Sequence, residues 1–326
     1  MIGLFEIVTL AAAVTSASPT RHVERQQICN GNAAFCDRRY SNVSLIGTHN
    51  APFVGSFLDP RMNQEKTVTE QLDAGVRFLQ AQTHMGNPSV LQLKDDDGTE
   101  KKMETRDDAD ELSMCHTSCE LLYAGSLKDY LSTVKTWLDS HPNDVVTMLL
   151  TNPDLRPMSE FDSVFKSTGL DSLAYIPPTS PSQLPMNQWP AYRDLISQNK
   201  RLIVFMDSMT DETKVPYILS EFTYFFETPY GNKDPKFAQC DLDRPKGQSA
   251  EGRMYIVNHT LNTEFFGATI PDNEENFKTN AATGEGSIGA QADLCTKKWS
   301  RKPNVVLVDM FDRGDVFTAQ KNLNGP

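Results

Sequence analysis

Seven short apolar runs punctuate the chain: VSLIGTH (43–49), GVRFLQAQTH (75–84), ELSMCHT (111–117), VVTMLLTN (145–152), RLIVFMDS (201–208), RMYIVNHT (253–260) and NVVLVDMF (304–311). Most are almost continuously apolar instead of alternating, the pattern of strands buried on both faces. Between them lie segments of helical period. The clearest is SLKDYLSTVKTWLDSHPND (126–144), where Ser126 and Asp129 form a capping signal and Leu127, Tyr130, Leu131, Val134, Trp137 and Leu138 share one face. EKTVTEQLDAG (65–75), SEFDSVFKSTG (159–169), NQWPAYRDLISQ (187–198) and VPYILSEFTYFF (215–226) read as further helices. Strand and helix thus alternate, which predicts an α/β fold with a parallel sheet. No glycine-rich phosphate fingerprint follows the first strand, so a β/α barrel is favoured over a dinucleotide-binding sheet. No internal repeat is visible.

The length of 326 residues suits one such barrel. Residues 1–17 read as a secretory signal, with an apolar stretch from Leu4 to Val14 and small residues around Ala17. Residues 18–28 read as a polar leader and 29–326 as the single domain. No later run is long enough to cross a bilayer, and the C-terminus lacks a hydrophobic anchor tail. The chemistry of the surface excludes one class of partner: 43 acidic against 31 basic side chains leave a net charge of −12, with no basic cluster to meet a nucleic acid. The expectation is a secreted monomer.

Six cysteines fit an oxidising compartment. Their spacing suggests Cys29 with Cys36, Cys115 with Cys119 and Cys240 with Cys295, although six cysteines leave other connectivities open. A metal-binding reading is weaker, because no zinc-knuckle spacing is present. The acidic segment KDDDGTEKKMETRDDADE (94–111) reads as a solvated loop that lacks the rest of a calcium-loop pattern. Asn42 and Asn258 head glycosylation tripeptides.

The polar residues of interest all fall at C-terminal ends of predicted strands: His49, Gln82, His84, His116, Asn152, Asp207, His259 and Asp309. In a β/α barrel that rim is where catalytic groups converge. Each has a plainer reading as well. His49 could cap its strand, His116 could belong to a structural disulfide turn, His84 and His259 could be satisfied rim residues, and Asp207 could bind backbone amides.

Six blocks carry a resemblance: LIGTHNAP, QLDAGVRFLQAQTH, CHTSCELLYAGSLKDYLSTVKTWLDSHPNDVVTMLLTN, VPYILSEF, MYIVNHTLN and PNVVLVDMFDRGDVF. Through their order and spacing, from about Cys29 to the C-terminus, the chain resembles the X-domain family of phosphatidylinositol-specific phospholipases C. Within it, the resemblance is strongest to the secreted fungal phospholipase C-like phosphodiesterases. It implies a distorted TIM (β/α)8 barrel in which two histidines cleave a phosphodiester. His49 would be the base, His116 the acid, and Asp309 the group that orients His49, since attack on phosphorus needs one proton taken and one given near neutral pH. Asn50, Gln82, His84, Asp207 and His259 would contact substrate, at or near a membrane surface.

The departures from the family pattern concern charge. Where the bacterial enzymes carry a phosphate-binding Arg, and the animal enzymes two calcium-binding acids, this sequence has Gln80 and Gln82. Two neutral amides beside Asn50 do not supply the charge a divalent cation needs, so no metal and no cofactor are expected. The same loss of counter-charge favours a second reading, a degenerate barrel that binds a phosphorylated or sugar-like ligand without turnover. Sphingomyelinase D-like and glycerophosphodiesterase barrels form a third, nearer alternative with paired rim histidines, but they need acidic metal ligands that the second strand lacks.

Overall fold

The structure is a computed structural model that describes residues 27–86, 111–265 and 267–325. The proposed signal segment, most of the leader and nearly all of the acidic segment 94–111 lie outside the described residues.

The chain order runs β1 (Leu45–Thr48), α1 (Val68–Ala74), β2 (Phe78–Met85), β3 (Leu112–Cys115), β4 (Tyr123–Ser126), α2 (Leu127–Ser140), β5 (Val146–Thr151), α3 (Met158–Thr168), α4 (Tyr192–Ser197) and β6 (Leu202–Met206). It continues through β7 (Ile218–Ser220), α5 (Glu221–Tyr224), β8 (Phe225–Glu227), β9 (Met254–Asn258), β10 (Asn262–Phe265), β11 (Ala268–Pro271), α6 (Asn276–Thr279), α7 (Ile288–Trp299), β12 (Val305–Val308) and α8 (Val316–Asn324). Eight strands form one sheet in the order β7-β6-β5-β2-β1-β12-β9-β8, every ladder parallel. The first strand pairs with the last, Leu45 beside Val305 and Thr48 beside Val308, so the sheet curls into a barrel. Among the described residues no ladder joins β7 to β8. The barrel is distorted on that side, where the crossovers from β6 to β9 contain only the single turn α5.

Strand alternation divides the apolar residues into two cores. Ile46, Leu79, Met148, Val204, Val257 and Val306 pack outward beneath the helices, with Leu131, Val134, Phe161 and Phe165 among their neighbours. Leu45, Phe78, Leu149, Phe205, Phe225, Ile256 and Leu307 form the other cluster with Tyr40, Trp189 and Tyr192, which plug the barrel at the N-terminal ends of its strands. Gly47 belongs to the inner set: a Cβ there would come within 2.8 Å of Leu307 and 2.9 Å of Phe78, so the crowded interior has room only for hydrogen. With the lower end closed by aromatic rings, the C-terminal rim is the open mouth.

Helix ends follow the local chemistry. In α1, Thr67 and Glu70 form a reciprocal capping box, and in α2 the Ser126 hydroxyl accepts the N–H of Asp129. The pairs Cys29–Cys36, Cys115–Cys119 and Cys240–Cys295 are all bonded.

Two expectations are corrected. VPYILSEFTYFF (215–226) is no helix but β7, one helical turn and β8, because a continuously apolar run of this length does not distinguish a buried helix from two short buried strands. The strand containing ELSMC is outside the parallel barrel; it pairs antiparallel with the far end of β2, Thr83 beside Met114. The helices α7 and α8, which bury Ile288, Ala292 and Cys295 and Val316, Ala319 and Leu323, are additional to the segments read as helices from the sequence.

Candidate active site

The inner parity of each barrel strand, continued one step past its end, delivers a polar side chain to the mouth. Along β1 it leads to His49, along β2 to Gln80, Gln82 and His84, along β6 to Asp207, and after β12 to Asp309.

The His49 N–H donates to the Val308 carbonyl (3.0 Å), which extends the β1–β12 ladder by one bond. That bond places its Nδ1–H on Asp309 Oδ1 at 2.9 Å, with the carboxylate only 2 % exposed. An acceptor at Nδ1 fixes the tautomer and leaves Nε2 with a free lone pair. Asp309 is itself held, because Asn63 Nδ2 donates to the same oxygen at 2.9 Å. Gln64 Nε2 donates to the backbone carbonyls of His49 (2.9 Å) and Val308 (3.0 Å). The loop carrying Asn63 and Gln64 therefore braces the pair, a role that sequence reading missed. Its only signal was two adjacent amides in a loop between strand and helix.

His116 arrives from outside the barrel, on the turn after β3 that the Cys115–Cys119 bond closes. Its ring stacks on Phe53 with centroids 5.1 Å apart. Nδ1 lies 3.3 Å from the Arg61 carbonyl, and Nε2 lies 3.2 Å from Asn50 Nδ2. Burial, and secondarily the nearby His49, push its pKa below the ordinary imidazole value. Asn50 links the two histidines: its backbone is left-handed (φ 50°) and its N–H donates to Gln80 Oε1 at 2.7 Å. Gln82 Oε1 accepts the N–H of Thr117 (3.2 Å), next to His116. Both glutamines are thus engaged by backbone amides. With neutral donors already spent in this way, the site does not fit a divalent cation, and among the described residues no cluster of His, Cys, Asp and Glu could hold one.

Two of the expected rim residues face elsewhere. His259 follows the inward Asn258, and one step along a strand reverses the side chain. It is 1 % exposed, stacked on Phe237 at 4.0 Å, with Nε2 on the Thr279 carbonyl (2.7 Å) and Nδ1 on the Gln291 amide (2.6 Å). Its expected substrate contact is therefore corrected to a structural role. Asn152 has the same outward parity and closes its own loop through Arg156. His84 remains at the rim, where its Nδ1–H donates to Asp154 Oδ1 at 2.9 Å.

The opposite half of the mouth holds a second polar group. Asp207 accepts the N–H of Asn152 (2.8 Å), and burial raises its pKa. Glu227, at the inward end of β8, accepts from Arg244 Nε (2.9 Å) and Asn258 Nδ2 (3.2 Å). Glu221 is buried beside it, and burial together with Glu227 raises its pKa well above the usual carboxylate range. A helical reading of 215–226 hides the positions of Glu221 and Glu227, and Arg244 stands on the loop between β8 and β9, where no period marks it.

The site thus joins a histidine held by an aspartate with a second histidine at the mouth of a β/α barrel. The comparisons give the family. The family model described as PI-PLC X 1 matches residues 35–324, and the chain belongs to that family. It is 50 % identical over 317 residues to PI-PLC X domain-containing protein 1 of Arthroderma benhamiae, covering 97 % of this chain and 94 % of the relative. It is 39 % identical to an uncharacterized secreted protein of the same fungus, covering 97 % of this chain and 69 % of that one. The fold is similar to that of the phosphatidylinositol-specific phospholipase C of Listeria monocytogenes, with a TM-score of 0.54, 13 % identity, and coverage of 89 % and 96 %. Family and fold support a phosphodiesterase-like function. No helix among the described residues is long and apolar enough to cross a membrane.

Proposed function

We propose that this protein is a secreted phosphoric diester hydrolase that works by His49/His116 acid–base catalysis without a metal. The observation that carries the reading is the His49–Asp309 pair, whose free Nε2 shares the mouth with His116 across Asn50. His49 Nε2 takes the proton of the attacking hydroxyl as its oxygen bonds phosphorus. His116 gives a proton to the departing oxygen as the second P–O bond breaks. Asp309 stabilises the imidazolium formed on His49.

Two features favour a lipid carrying a hydroxyl-rich headgroup. Asp207 and Glu227 place carboxylate acceptors across the mouth from the histidines. Of the nine large apolar side chains exposed among the described residues, five lie on loops that follow strand ends, Leu58, Leu121, Leu155, Met209 and Tyr230, and Phe277 lies on the single turn α6. Such a set suits contact with a lipid surface.

The test is release of headgroup from phosphatidylinositol vesicles and of phenol from a soluble aryl phosphodiester, each with calcium and with chelator. Release is expected in both arms, with a bell-shaped pH profile, and is abolished in His49→Ala and His116→Ala variants that keep the wild-type circular dichroism. Undiminished release in either variant, or binding without any release by the wild type, overturns the reading. The latter result would instead establish the degenerate binding barrel.

A further inference from the structure

A neutral imidazole carries one N–H, and the neighbours of His116 decide where it sits. The Arg61 carbonyl only accepts, so the Nδ1 facing it carries the proton. The Asn50 Nδ2 group only donates, so the Nε2 facing it presents its lone pair. Both contacts are satisfied by one species, the neutral Nδ1–H tautomer, and the Asn50 contact is lost when Nε2 gains a proton. Asn50 is completely buried, and its Oδ1 has no hydrogen-bond partner among the described residues. Buried amide oxygens are rarely left in that state. Rotating the amide half a turn exchanges its two ends and brings Oδ1 onto Nε2, where it would accept from an imidazolium. The backbone is held through this rotation, because the Asn50 N–H stays on Gln80 Oε1 and the Ala51 N–H on the Gln80 carbonyl (2.8 Å).

We infer that Asn50 is a positioning residue that sets the protonation state of His116, holding the neutral Nδ1–H tautomer while its Nδ2 faces the ring and the imidazolium when its amide is turned over. The proton that His116 later donates is then taken from solvent onto Nε2, and it leaves with the departing oxygen, which restores the neutral ring. The charged groups around the ring also favour the neutral form. His49 from the end of β1 and His84 from β2 disfavour a further positive charge, Asp309 after β12 opposes them, and the Arg61 guanidinium is paired with Asp59 within its own loop. An anion entering the mouth reverses this balance.

The role of His116 as an acid rests on the proposed function, but the tautomer argument does not, so the test reads both separately. The His116 ring is titrated by proton NMR in the free protein, its signal identified by its loss in His116→Gln. Asn50→Asp keeps the size and the left-handed backbone preference and places an acceptor on Nε2. It is expected to raise the His116 pKa by about one unit or more. Asn50→Gly, which tolerates the same backbone, removes the donor and is expected to raise it by less. An unshifted pKa in the folded variants overturns the inference, and if Asn50→Asp fails to fold, Asn50→Gly alone decides. In the enzymatic arm, the alkaline limb of kcat/KM moves to higher pH in step with the NMR value. A shifted titration in a protein without phosphodiester activity upholds the inference and removes the functional reading.

Discussion

The orientation of His49 at the mouth rests on a single buried carboxylate. Asp309 is shared between His49 and Asn63, both at 2.9 Å, and both must be satisfied for the ring to point into the mouth. Asp309→Asn keeps the shape and loses the charge that favours the imidazolium and the Nδ1–H tautomer. It is expected to lower kcat by roughly 10²–10⁴-fold with little change in KM, measured in steady state on the aryl phosphodiester. His259 shows the opposite case, a histidine whose candidacy fails on parity. Removing it takes away the ring contacts of the buried Thr279 carbonyl and Gln291 Oε1. His259→Ala is expected to cost about 2–4 kcal/mol in urea unfolding, while kcat of the folded fraction stays near wild type. A selective loss of kcat at unchanged stability would restore it to the site.

Among the elements, β7, α5 and β8 decide more than their ten residues suggest. They form the two ends of the curled sheet and carry Glu221 and Glu227 into its wall. In sequence this stretch is indistinguishable from an amphipathic helix, because hydrophobic runs of similar length serve both, and only pairing with β6 and β9 selects the strands. The raised pKa of Glu221 has a signed consequence. The folded protein holds this proton to higher pH than the unfolded chain, so the contribution to stability is full below the unfolded value near 4.3 and is lost as pH rises from there through the folded value. Glu221→Gln keeps a neutral hydrogen-bonding group and removes that loss. The fall in Tm between pH 5 and pH 8 is expected to be smaller in the variant than in the wild type, by scanning calorimetry. An unchanged fall would show that Glu221 ionises normally.

At the scale of the whole molecule, the barrel sorts its two glycosylation tripeptides by the end on which each stands. Asn42 is exposed just before β1, at the closed end, whereas Asn258 is buried with its Nδ2 on Glu227 and on the Thr228 carbonyl (2.8 Å). Peptide mass mapping of the protein expressed through a secretory host is expected to find glycan on Asn42 and none on Asn258. A glycan on Asn258 would mean that the Glu227–Arg244 side of the mouth opens during maturation. The sequence by itself determined what is local or periodic: the strands of nearly continuous apolar residues, the capped helices α1 and α2, the acidic surface, and the strand-end polar residues that mark a barrel mouth. The family blocks added the pair of histidines and the aspartate. Only the tertiary structure decided which strand-end residues face inward, since a one-residue step separates Asn258 in the mouth from His259 beneath the helices. It also decided that β3 stands outside the barrel, that Asn63 holds Asp309 and that Asn50 lies against His116. These are contacts between residues distant in sequence, so their energies depend on the closure of the sheet and leave no trace in local propensity or spacing.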